Sequence, residues 1–406
     1  MIMKRYVRDF LHIGRIVVTI LGKCVAGVVP KNKKLILFSS WFGKKYLDSS
    51  RYMYEYLLEN NHNYHAVWYT KDKALYRDLK KNGKPVVYGK SIRGLWLQLR
   101  AVMLVSSVEF YDFNIYFISS CILFDLDHGF PIKQSGFEIP TYKKRSQNFD
   151  KLLRWNVKLY KSASSMFVKN ILSNATAIPG EKFVFCNKPR IDSFYDERLR
   201  IGKNDVVNKI KGNYKSIVYM PTHRMAGKNP IDVTKIFDLD KIQSFCEKNN
   251  SVFIIKKHYY HSKEKTNLEN YSRIFDITNE MLEIQTLLYQ ADVLVSDYSA
   301  AYIDYLVLDR PIIFYAYDYS DFIKNERDLY VKFEDNKAGY KAYDKYEFMD
   351  ALKLIGSDWH DSRHSVGRDK MRSLYFDKDL PEGRTRENLC RIMDKLIAGT
   401  YKPKWC

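Results

Sequence analysis

The chain lacks any pair of cysteines at CxxC spacing. Its six cysteines, Cys24, Cys121, Cys186, Cys246, Cys390 and Cys406, lie far apart, which indicates neither a zinc site nor a disulfide framework and fits a reducing, cytoplasmic setting. Metal-ligand spacings are missing too, so no metal is expected. Glycine and proline are sparse, 18 and 11 in 406 residues, and no low-complexity tract or fixed-period repeat is visible. No apolar run reaches the ~18–20 residues needed to cross a bilayer: Phe10 to Pro30 is interrupted by Arg15 and Lys23, and the same basic residues spoil a secretory cleavage pattern. Acid is in deficit, with 47 Asp and Glu against 67 Lys and Arg, a net charge of +20. That excess calls for an anionic partner: nucleic acid, an anionic membrane face or a phosphorylated substrate. No recognition-helix, zinc-finger or RNP pattern supports nucleic acid.

What is present is a foldable chain, 46% hydrophobic and 28% charged, long enough for two to three domains. Wound as a helix, the first thirty residues put Lys4, Arg5, Arg8, Arg15 and Lys23 on one side and Tyr6, Phe10, Ile13, Val17, Ile20 and Leu21 on the other. That is an amphipathic basic helix suited to an anionic membrane surface, or an ordinary helix docked on the protein's own core. From Lys34 onward, short apolar runs alternate with helical patterns: Leu35–Ser39, Ala66–Tyr69, Pro85–Tyr88, Val102–Ser106, Phe183–Cys186, Ile217–Met220, Val252–Lys256, Val293–Ser296 and Pro311–Tyr315 read as strands. Such alternation implies an α/β fold with parallel sheets. The charged stretch Asp196–Tyr214 divides the chain into a membrane-surface segment (1–30) and two Rossmann-like domains (31–195 and 196–406), with ligands expected in a central cleft at strand C-terminal ends.

Four polar segments stand out, three of them directly after predicted strands. In Asp127-His128-Gly129-Phe130-Pro131, with Lys133 beyond, a histidine in a turn can take up a proton near neutral pH, with Asp125 or Asp127 orienting it; a loop histidine can equally be structural. Thr222-His223-Arg224 can grip a phosphate. Lys256-Lys257-His258-Tyr259 can face a diphosphate or be solvated surface. Ser296-Asp297-Tyr298-Ser299-Ala300 leads into a helix from about Ala301, with Ser299 placed as N-cap and free N–H groups offered to an anion. This turn lacks the glycines of GxGxxG or a Walker loop, so neither a dinucleotide enzyme nor a P-loop ATPase is supported.

In this order the segments resemble the CDP-glycerol glycerophosphotransferase family, which includes teichoic acid and capsule polyol-phosphate transferases. Trp41-Phe42-Gly43-Lys44-Lys45-Tyr46 is similar to the family's FGGKxY, His128-Gly129-Phe130-Pro131-Ile132-Lys133 to HGTPxK, Lys188-Pro189-Arg190-Ile191-Asp192 to GxPRxD, Pro221-Thr222-His223-Arg224 to PTWR and Ala291–Ala300 to ADxLITDYSS. Departures are Phe130 for Thr, Lys257-His258 against RxH, Asn187 or Lys188 for Gly, and Ala300 for the second Ser.

The resemblance implies a GT-B-like pair of Rossmann-like domains. It also implies transfer of glycerol or ribitol phosphate from a CDP-polyol to a hydroxyl of a lipid-linked or polymeric anionic acceptor, with release of CMP, on the inner face of the cell membrane. No cofactor is required, because the CDP-polyol is a substrate. In this picture His128 is the general base and Asp127 orients it. His258, Arg224, Thr222, Lys256, Lys257 and the turn Ser296, Asp297, Ser299, Ala300 meet the donor's phosphates, while Lys133, Arg190 and Asp192 lie toward the acceptor or behind the site. A nucleotide-sugar glycosyltransferase on the same scaffold is the alternative, and a non-catalytic anionic-lipid or nucleic-acid binder a further one. A homo-oligomer is left open.

Overall fold

The computed structural model describes residues 2–60, 63–139, 144–200, 205–222, 224, 230–258, 261, 266–280, 282–325, 327–380 and 382–404, with the backbone alone for 2–11, 144, 145 and 205. The side chains of Lys4, Arg5, Tyr6, Arg8 and Phe10, and residues His223 and Tyr259, lie outside the described set. The chain forms two units. The first comprises Met1–His128, Gly136–Asp192 and Leu380–Cys406; the second comprises Gly129–Ser135 and Ser193–Asp379.

The first unit is built on β1 (Asn32–Phe38), β2 (His65–Thr70), β3 (Val86–Tyr88), β4 (Ala101–Ser106), β5 (Ile122–Asp125), β6 (Lys158–Ala163) and β7 (Phe183–Phe185). They pair in parallel in the order β3-β2-β1-β4-β5-β6-β7. The run Leu35–Phe38 is wholly buried, as expected of a strand covered on both faces by crossover helices. The second unit repeats the winding with β8 (Lys215–Tyr219), β9 (Ser251–Ile255), β10 (Ile274–Asp276), β11 (Val293–Ser296), β12 (Ile312–Tyr315) and β13 (Tyr340–Ala342), in the order β10-β9-β8-β11-β12-β13. In each unit the strand order reverses once, between β1 and β4 and between β8 and β11, which are the places where open α/β sheets collect ligands.

Two expectations are corrected. The divide falls at Asp192/Ser193 and not at 195/196, and the chain does not stay in the second unit: Leu380–Cys406 returns to the first. There the helix Thr385–Ala398 adds Leu389, Ile392, Met393 and Leu396 to the core formed by Ile36, Met53, Leu57 and Val105. Asp192 ties that helix down, its carboxylate accepting from the backbone N–H of Thr385 (3.0 Å) and Arg386 (2.9 Å) and from the Arg386 guanidinium (3.2 Å).

The second correction concerns the N-terminal helix, Ile2–Val28. Lys23, assigned to its basic outer side, is buried, and its amine donates to the carbonyls of Ile118 (2.7 Å), Leu153 (2.7 Å) and Trp155 (2.9 Å). Burial lowers its pKa to about 8, against a smaller opposing effect of Cys121. Gly22 permits the approach, since a Cβ there would collide with the carbonyl of Tyr116. The same helix turns Ile13, Val17, Val18, Ile20, Leu21, Val25 and Val28 to the exterior. Among the described residues no helix is long and apolar enough to cross a membrane.

Candidate active site

The loops after β1, β4 and β5, neighbours in the first sheet, converge on His128. Its Nδ1 lies 3.3 Å from the Ser107 carbonyl and 3.3 Å from Asp127 Oδ1. A carbonyl only accepts, so Nδ1 carries a proton, and in the neutral ring Nε2 keeps its lone pair. The Trp41 ring system and the imidazole meet in a T-shaped contact, centroids 5.5 Å apart, and half of the imidazole surface (51%) remains exposed. The backbone is strained around this point: Trp41, Phe42, Asp48, Glu109 and Asp127 all have positive φ, at 50°, 61°, 68°, 44° and 59°, a region costing a non-glycine residue about 1–2 kcal/mol. Such strain gathers at functional sites.

Charge beneath the histidine is paired. Burial would raise the Asp127 pKa, but Lys161, then Lys188 and the hydrogen bond to His128, hold it well below the usual carboxylate range. Burial acts to lower the pKa of His128, yet the hydrogen bond and charge of Asp127, with Asp48 and Asp125 behind, raise it above the ordinary imidazole value. Arg190 is buried and donates to Asp48 (2.7 Å) and to the His128 carbonyl (3.1 Å), so it fixes the backbone that carries the imidazole. Asp192 faces elsewhere, toward the start of the C-terminal helix.

In the second unit the loops after β8 and β11 meet across the strand-order reversal. The Asp297 carboxylate accepts from Thr222 N–H (2.8 and 3.1 Å) and pairs with Arg224 at 2.8 Å. Arg224 also forms a bidentate pair with Asp318 and donates to the Thr222 carbonyl (2.7 Å). This buried guanidinium is therefore a clamp between loops and not the open phosphate grip expected of it. Its pKa is raised by Asp297 and Asp318 against the effect of burial.

Both lysines after β9 are likewise turned inward. Lys256 donates to the carbonyls of Ile277 (3.1 Å), Thr278 (3.1 Å) and Glu280 (2.6 Å); Lys257 is buried 3.5 Å from Asp276. His258 is half-buried at the end of the same run. Ser296 is buried and donates to the Met220 carbonyl (3.3 Å). Ala300, not Ser299, occupies the N-cap position, and the α-helix that follows is only Ala301–Tyr305; Ser299 and Ala300 are half-buried. Lys133 lies over the Phe322 ring at 4.9 Å. Phe130, which departs from the family pattern, is buried against Tyr375 and Phe376 of the second unit.

Sequence reasoning missed Lys161 and Asp318. A lysine inside a short strand and an acid three residues beyond β12 were the available signals. Among the described residues no group of three or more His, Cys, Asp or Glu is placed to hold a metal ion.

With this geometry in place, comparison with known proteins adds the following. Residues 23–395 match the family CDP-Glycerol:Poly(glycerophosphate) glycerophosphotransferase. The chain is 25% identical over 385 residues to the teichoic acid glycerol-phosphate transferase of Staphylococcus aureus, covering 90% of this chain and 94% of that one. It is 27% identical over 335 residues to the teichoic acid poly(glycerol phosphate) polymerase of Bacillus spizizenii, covering 76% and 80%. Its fold is that of the wall teichoic acid polymerase TagF, with a TM-score of 0.75, 20% identity and 98% of each chain covered. A UDP-N-acetylglucosamine 2-epimerase from Listeria monocytogenes shares the architecture more loosely, with a TM-score of 0.56, 12% identity and coverage of 92% of this chain and 99% of that one.

Proposed function

Since the chain belongs to the CDP-glycerol:poly(glycerophosphate) glycerophosphotransferase family, and is thereby a transferase of polyol phosphate from a CDP-activated donor, we propose that His128 is its general base. An acceptor hydroxyl gives its proton to Nε2 as its oxygen bonds to the distal phosphorus. The bond from that phosphorus to the CMP oxygen breaks, and a phosphodiester is formed. The observation that carries this reading is the placement of Nδ1 against the Ser107 carbonyl and Asp127, which in the neutral ring leaves the Nε2 lone pair free on a half-exposed imidazole. Developing charge on CMP is met in this proposal by His258 and by the loop Ser296–Ala300, held in register by the Arg224 clamp. No cofactor beyond the donor is called for, so a chelator is expected to leave turnover intact.

CDP-glycerol and CDP-ribitol offered in parallel with a lipid-linked acceptor, with the product identified by mass, decide the polyol. A glycosidic product would exclude the phosphodiester reading. His128→Ala is expected to abolish acceptor-dependent CMP release, and near-normal release would remove His128 from the role.

The acceptor is proposed to be reached from an anionic membrane surface. Support comes from the exposed Ile13, Val17, Leu21 and Val28 of the N-terminal helix, an unusual display of apolar side chains. Val17→Asp with Leu21→Asp, which leaves the Lys23 anchor in place, is expected to abolish binding to anionic vesicles while sparing activity on a soluble acceptor; retained vesicle binding would refute the role.

A further inference from the structure

We infer that Lys161 is a positioning residue for His128, acting through Asp127; the inference rests on the reading of His128 as the base. Lys161 stands on β6, next to β5 in the sheet, and its side chain is 5% exposed. Its ammonium pairs directly with Asp125 and lies 3.3 Å from Glu109 Oε1 and 3.8 Å from Asp127 Oδ2. Asp127 thus works with both oxygens. Oδ2 faces Lys161, while Oδ1 accepts from the His128 backbone N–H (2.9 Å) and faces the imidazole Nδ1 (3.3 Å). A carboxylate held in this way fixes the aim of the ring, reinforces the tautomer that the Ser107 carbonyl sets and stabilises the imidazolium.

The charges around Lys161 close only with it present. Three carboxylates, Glu109, Asp125 and Asp127, meet three cations: Lys161, Lys188, whose amine donates to the Leu126 carbonyl at 3.0 Å, and Arg154, 3.7 Å from Glu109. Asp48 and Arg190 pair separately beside the His128 carbonyl. Removing Lys161 leaves one negative charge uncompensated in a buried cluster. Either a carboxylate takes up a proton or Asp127 turns away, because like charges this close cannot all stay ionised in place. Asp127 also holds a left-handed backbone, φ 59°, which the surrounding contacts must maintain.

The test is a double-mutant cycle on the full chain, with turnover of CDP-polyol and acceptor as readout and [15N]histidine spectra reporting the protonation of His128. Lys161→Met and Asp127→Asn are each expected to lower kcat by about 10- to 100-fold, less than the ~10²–10⁴-fold of a general base, with the donor KM unchanged. The double variant is expected to be no slower than the slower single, because the two act as one unit. Losses that multiply would overturn the inference, as would a Lys161→Met protein whose His128 follows the wild-type pH titration.

A charge-balanced variant, Lys161→Met with Asp125→Asn, guards against simple misfolding: it should regain thermal stability and stay slow, and recovery of full kcat would show that Lys161 serves charge balance alone. An active His128→Ala protein would defeat the base reading itself. An inactive His128→Ala with an additive cycle would defeat only the role of Lys161.

Discussion

Replacing Arg224 by Ala separates a clamp from a phosphate grip. The guanidinium is buried and faces two carboxylates, Asp297 and Asp318, of which the first is fully enclosed and the second 19% exposed. Breaking a buried ion pair by removing one partner costs roughly 3–5 kcal/mol, because a charge is left without compensation. Asp318 can regain some water, so the lower half of that range, about 3–4 kcal/mol, is the working figure. For a unit of about 190 residues each kcal/mol moves the transition by ~2–4 °C, giving a fall of about 10 °C in the melting of the second unit. Calorimetry reads this together with amide exchange at Thr222, whose N–H donates to Asp297 and should lose protection. Arg224→Met combined with Asp318→Asn removes one anion with the cation and should recover about half of the loss. Unchanged melting and unchanged protection, alongside a donor KM raised by about 100-fold, would show that Arg224 meets phosphate directly and that the clamp is incidental.

Four further outcomes are expected. The raised pKa of His128 keeps the base protonated to higher pH, so the acid limb of kcat/KM lies above the ordinary imidazole value of ~6.5, and Asp127→Asn should move it down; a pH–rate series reads both. Lys23→Met leaves the carbonyls of Ile118, Leu153 and Trp155 without their donor, at about 1–3 kcal/mol each, and limited proteolysis should then cut within residues 2–28. Because the folded pKa of Lys23, about 8, lies below its ordinary 10.5, the detached helix binds more protons between those values. Its docking therefore strengthens as pH climbs from about 8 toward 10.5, as amide exchange along Val18–Val28 would record. Asp192→Ala removes the acceptor for three N–H groups at the start of the C-terminal helix and should lower the stability of the first unit by about 2 kcal/mol, measured by denaturant unfolding.

Legibility in the sequence followed the range of the interaction. β11 was read residue for residue because Val293–Ser296 is an uninterrupted apolar run ending in a polar turn. β6 was missed because Lys158 and Lys161 interrupt its pattern, and the partner that lets Lys161 be buried, Asp125, is 36 residues away. The sequence around Arg224 reads as a phosphate grip because nothing local announces its partner Asp318, 94 residues further on. Lys23 shows the same limit from the other side. A helical wheel sorts residues by polarity, whereas three carbonyls from distant segments can satisfy an ammonium in the interior. His128 and Asp127 were legible because their relation is between neighbours. β5, β10 and β13 were too short or too mixed to stand out from their surroundings.

The return of the last residues to the first unit has a consequence for biosynthesis. The core that contains Ile36, Met53 and Val105 is completed by Leu389, Ile392, Met393 and Leu396, made only after about 190 intervening residues have been added. At ~5–20 residues per second that is a wait of roughly 10–40 s. Throughout it the nascent first unit carries an unfilled apolar groove, while the second unit is synthesised entire and can fold ahead of it. Order of folding is then free to run opposite to order of synthesis, and the unfilled groove is where a chaperone would be expected to hold the growing chain.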